Sequence, residues 1–86
     1  MEIIFHRTFE KQIKKLKPAE KERLKERLKL FIAYPFDRQL NNHPLKGEYT
    51  DYRSINIGGD LRAVFKYIDT DKCIFTKIGT HGELYS

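Results

Sequence analysis

The chain of 86 residues holds one cysteine, Cys73, and no tryptophan. A lone cysteine excludes a disulfide within the chain and a metal site built from thiolates, and it fits a reducing compartment. No apolar run approaches the roughly 20 residues that cross a bilayer. The opening Met1-Glu2-Ile3-Ile4-Phe5-His6-Arg7 lacks the apolar core of a secretory leader. The expectation is a cytoplasmic protein with no membrane contact. Glycine and proline are few, at five and three residues, and they punctuate turns rather than forming linkers, repeats or low-complexity tracts.

What is present is a globular composition, 40% apolar and 34% charged. At this length there is room for one core, so residues 1–86 are read as a single domain. Lysine and arginine total 17 against 12 acidic residues, a net charge of +5. Such a surplus on a small body favours a polyanionic partner, either nucleic acid or an acidic protein segment.

Glu2 to Phe5, β-branched and aromatic, predicts a first strand. Thr8 is placed to cap a short helix carrying Phe9, Ile13 and Leu16 at helical spacing. Pro18 suits the first turn of a second helix, whose apolar stripe is Leu24, Leu28, Phe31 and Ile32 and which Tyr34-Pro35 ends. Phe36 to Lys46 reads as a loop. A meander follows, with strands Tyr49 to Ile57, Leu61 to Ile68 and Lys72 to Ile78. Gly58-Gly59 supplies the positive φ angles of a tight hairpin, and Asp69-Thr70-Asp71 makes the second turn. The predicted class is α+β, in the order β-α-α-β-β-β: a small antiparallel sheet with both helices on one face. The other face would be an open, basic cleft.

Chemistry-bearing residues gather in the second half. His43, Asp60 and His81 lie at strand ends, with Lys46, Arg53, Arg62, Lys66 and Lys77 around them. Imidazoles that exchange protons near neutral pH, set in positive charge, are what RNA cleavage requires. Each residue also has a plainer reading. His81 follows Gly-Thr and would serve as a turn residue; His43 would bond its own loop; Asp60 would close the hairpin. Arg53 and Arg62 would pair with carboxylates across the sheet or bind phosphate bidentately. Tyr85 would stack on a base or fray with the terminus. His6 and the lysines of the second helix read as surface. No metal-ligand spacing is present, and no cofactor is expected.

The motifs His43-Pro44-Leu45-Lys46-Gly47, Tyr52-Arg53, Asp60, Gly79-Thr80-His81 and Glu83-Leu84-Tyr85, in that order, resemble the RelE/ParE superfamily of type II toxins, and within it the YafQ branch. The resemblance covers nearly the whole chain. It implies a messenger RNA endonuclease acting on the ribosome, without metal, held inactive by a RelB/DinJ-like antitoxin. His43, Asp60, His81 and Tyr85 would form the catalytic group, and Lys46, Arg53, Asn56, Arg62 and Lys77 would bind substrate. Two positions depart from the pattern: Asn56 stands where some relatives carry a second histidine, and Ser54 where they carry a carboxylate. Leu61-Arg62-Ala63-Val64-Phe65 resembles the RelE strand whose arginine contacts the scissile phosphate. Other readings in the same fold are a ParE-like gyrase inhibitor and an inactive antitoxin-binding module.

Overall fold

A computed structural model describes residues 1–85. Its elements are β1 (Glu2–Phe5), α1 (Arg7–Lys14), α2 (Pro18–Ala33), β2 (His43–Pro44), β3 (Arg53–Gly58), β4 (Leu61–Asp69), β5 (Lys72–Thr80) and α3 (His81–Tyr85). The strands form one five-stranded sheet in the order β1-β5-β4-β3-β2. This is the expected α+β architecture, with one pairing that departs from the antiparallel pattern: β1 runs parallel to β5. The helices carry the chain from β1 to the far edge of the sheet. Successive reversals then bring it back beside β1 in the same direction.

Alternation along the strands sends Ile55, Ile57, Leu61, Ala63, Phe65, Cys73, Phe75 and Ile78 into one core with Phe9, Leu24 and Phe31. Ile13, Leu16 and Leu28 pack against it, so both long helices cover the same face, as predicted. Phe31 meets Phe65 and Phe75 edge-on, with ring centroids 4.9 and 5.4 Å away. Such pairs add about 0.5–1.5 kcal/mol beyond their area burial. Ile32, expected in the helix stripe, is instead 49% exposed.

Four further expectations are corrected. The cap of α1 is His6 rather than Thr8: the Thr8 N–H donates to His6 Nδ1 at 3.0 Å. The predicted 36–46 loop holds a 3-10 turn at Arg38–Leu40, capped by Asp37, and the short edge strand β2. The strand predicted from Tyr49 begins only at Arg53. Gly47, at φ +68°, starts a 3-10 turn that the Thr50 hydroxyl closes by donating to the Gly47 carbonyl, and the Tyr52 N–H bonds Tyr49 O at 2.9 Å. Finally, β5 extends beyond the expected Ile78 to Thr80 and is followed by α3, an unexpected short helix.

Candidate active site

The face away from the long helices holds most of the candidate residues. Pairing register draws a row across it: His43 on β2 lies opposite Ser54 on β3, Ser54 opposite Val64 on β4, and Val64 opposite Lys77 on β5. A second row sets Asn56 opposite Arg62, and Arg62 opposite Gly79. Lys77 is on this face because β5 bulges. Phe65 pairs with Phe75 and Val64 with Lys77, so Thr76 is the extra residue. Without that bulge the alternation would turn Lys77 inward and Ile78 outward.

His43 is held by a bond of 2.8 Å between Nδ1 and the Asn41 carbonyl. A carbonyl only accepts, so Nδ1 carries a proton, and in the neutral ring Nε2 keeps a free lone pair. Arg62 is half-buried, and its Nη1 donates to the carbonyls of Gly59 and Leu61 at 3.0 and 3.2 Å. Those bonds anchor the guanidinium at the hairpin through a single nitrogen. Among the described residues the one ion pair joins the N-terminal ammonium to Asp71. The cross-strand carboxylate partners that would give Arg53 and Arg62 a plain structural role are therefore absent there.

His81 opens α3. The Thr80 N–H donates to Glu83 Oε1 at 2.7 Å, and the Glu83 N–H donates to the Thr80 hydroxyl at 3.2 Å. This reciprocal cap holds the Glu83 carboxyl below its usual range, the backbone bond from Thr80 being the larger cause. The His81 ring is exposed and lies 4.9 Å from that of Tyr85. Tyr85 in turn meets Tyr49 edge-on at 6.1 Å. Lys77 lies 5.1 Å from the Tyr49 ring centroid, and its Nζ is 3.4 Å from the Tyr49 hydroxyl. The segment before β3 and the helix after β5 thus meet over the open face.

Three buried polar atoms there have no hydrogen-bond partner among the described residues: Ser54 Oγ, Asn56 Oδ1 and Tyr85 OH. Leaving such groups unmatched costs about 1–3 kcal/mol each, a cost that bound water or a polar ligand would relieve.

Other predicted site residues stand apart. Arg53 has the parity of Phe65, on the helix side; its Nε donates to Asn42 Oδ1 at 2.7 Å and its guanidinium lies 5.4 Å from the Phe36 ring centroid. It fastens the loop after α2 rather than joining the open-face group. Lys46 is exposed ahead of the 3-10 turn. Asp60 is exposed at the hairpin tip, next to Leu61, whose partner is Thr80; register therefore brings it alongside the start of α3. Sequence alone does not single out Tyr49, because tyrosine favours strands and carries no motif there. The signal that could have revealed α3 was Thr80-His81-Gly82-Glu83, a capping box. No group of three metal-ligating side chains occurs among the described residues.

A family model described as a bacterial toxin of type II toxin-antitoxin system, YafQ, matches residues 1–86. Among solved structures, YafQ from Escherichia coli strain BL21(DE3) superposes with a TM-score of 0.83 at 22% identity, covering 99% of this chain and 98% of that one. The toxin in the E. coli DinJ-YafQ complex gives 0.81 at 24% identity, over 99% and 97% of the two chains. A chain of the archaeal RelE-RelB complex from Pyrococcus horikoshii OT3 gives 0.73 at 19%, over 94% of each. No curated protein sequence matches the chain significantly.

Proposed function

The chain belongs to the YafQ family of bacterial toxins of type II toxin-antitoxin systems, and from that premise we propose that it is a ribosome-dependent endoribonuclease that cuts messenger RNA. The observation that carries this reading is the convergence of His43, Arg62 and the His81–Tyr85 pair on one open sheet face beside orphaned polar atoms.

Cleavage needs a base for the 2′-hydroxyl, a cation for the crowded phosphorane and an acid for the leaving 5′-oxygen. His43 Nε2, kept available by the bond at Nδ1, is suited to take the 2′ proton. As the 2′-oxygen bonds to phosphorus, the bond to the 5′-oxygen breaks. His81 supplies the proton to that oxygen, leaving a 2′,3′-cyclic phosphate. Arg62 faces the equatorial oxygens with the nitrogens not bonded to the hairpin, and Lys77 adds charge from the next strand. Asp60 orients His81, and Tyr85 stacks on a base. Asn56 and Ser54 transfer no proton at neutral pH; they bind the ribose or phosphate, so this site depends on fixed positive charge more than on a crowd of acids and bases.

The partner that restrains it is a cognate antitoxin of the DinJ or RelB kind, supported by the solved complexes of similar toxins. Its place of action is the cytoplasm, where ribosomes are. The test is induction in cells followed by mapping of transcript 5′ ends. In-frame cuts confined to translated messages are expected. Intact messages with a DNA-damage response would instead point to gyrase inhibition, and intact messages without it to an inactive module.

A further inference from the structure

Between the end of β1, the bulge of β5 and the turn before β3 lies a cavity of about 350 Å³, within the roughly 300–1,000 Å³ of small-molecule sites. Of the residues given a role in cleavage above, Lys77 alone lines it. Its walls are Tyr49 and Tyr52, steeply inclined with ring centroids 6.2 Å apart, and its rim carries His6, Glu48 and Lys77. The Thr8 N–H can only donate, so its bond to His6 Nδ1 makes that nitrogen an acceptor and leaves the proton of the neutral ring on Nε2. The rim therefore presents two donors, His6 Nε2–H and the Lys77 ammonium, and one carboxylate acceptor, Glu48.

We propose that this cavity is a nucleobase subsite for the RNA, selective for purines and best matched by guanine; the inference rests on the nuclease reading above. Tyrosine faces offer stacking to any base, and the rim chooses among them. Guanine presents N1–H and N2–H side by side to a carboxylate, and O6 and N7 to donors. Adenine matches less, with one amino group and N7. A pyrimidine offers a carboxylate donors from one nitrogen only, N3–H of uracil or the N4 amino group of cytosine, and a smaller ring to stack. An acidic peptide, the other partner that a basic surface attracts, would meet Glu48 as a like charge. The cavity also has a fixed relation to the chemistry. Tyr49 forms its wall and touches Tyr85, which touches His81, so the bound base belongs to a nucleotide close to the scissile phosphate.

The experiment is NMR titration of the purified toxin with GMP, AMP, CMP and UMP, which reads binding without cleavage, together with the base composition around mapped cuts. GMP should shift the Glu48, Tyr49 and Tyr52 signals saturably, AMP less, and the pyrimidine nucleotides at least about tenfold more weakly. Glu48→Gln keeps the size of the side chain but loses the paired acceptor. It should weaken GMP binding about tenfold and erase a guanosine bias beside the cut. The proposal is overturned if the cavity signals do not move, or if CMP or UMP binds as tightly as GMP. Uncut messages beside saturable GMP binding would instead overturn the nuclease reading while keeping the purine site; cleavage without purine binding would overturn the site alone.

Discussion

His43, Arg62 and His81 reach one face by different local means, and each invites a different substitution. His81 is exposed and touches only Tyr85 among the rings, so its removal leaves the core alone. His81→Ala is expected to cut ribosome-bound message about a hundredfold to ten-thousandfold more slowly, the usual worth of one general acid or base, with an unchanged melting temperature. A folded His81→Ala protein cleaving at the wild-type rate would remove His81 from the mechanism. Arg62→Lys keeps the charge but loses the planar fork. Its expected effect is on turnover rather than on ribosome binding, measured by single-turnover cleavage beside a co-sedimentation assay. Equal losses in both, or none, would contradict a role at the phosphate.

At the scale of elements, α3 and the bulge in β5 assemble the candidate site. The cap between Thr80 and Glu83 gives α3 an acid-sensitive start. The folded carboxyl titrates below its unfolded value of about 4.3, so its contribution is complete above that value and is lost as pH falls through the lower, folded one. Tyr85 signals should therefore broaden or shift in that acid window. Glu83→Gln, which can still accept the Thr80 bond, should flatten the response. A wild-type Tyr85 signal that is constant through the window, or a Gln variant that moves identically, would disprove the coupling. Sequence legibility follows the same division. The long helices and the meander were readable because periodicity and Gly58-Gly59 signal them directly. The bulge was not, since nothing in Phe75-Thr76-Lys77 marks which residue goes unpaired. Tyr49 carries a strand signal because tyrosine favours strands, whereas Gly47 at positive φ turns the chain there. Motif marks His43 and His81 as candidates but does not fix strand parity, and the pairing of Arg53 with Phe65 turns it to the helix side rather than to the open face.

Over the whole molecule, stability rests on one aromatic core. The Phe31 side chain is fully buried between rings of β4 and β5, and Phe31→Ala should cost about 3–5 kcal/mol out of a typical 5–15. Thermal unfolding of that variant checks it; a melting temperature within a degree or two of wild type would show that the core lies elsewhere. Cys73, also buried, has its thiol pushed up to about 11 by burial, consistent with a packing role. The net charge of +5 suits the proposed encounters with ribosomal RNA and with an acidic antitoxin segment, and salt should weaken both. What separates a nuclease from a basic binding protein is chemistry on the message itself. The most direct measurement is cleavage of a ribosome-programmed transcript by purified toxin, with the new 3′ ends identified, comparing the wild-type protein with His81→Ala. The account predicts fragments ending in 2′,3′-cyclic phosphate or 3′-phosphate that depend on His81; uncut message, or ends carrying a free 3′-hydroxyl, would contradict it.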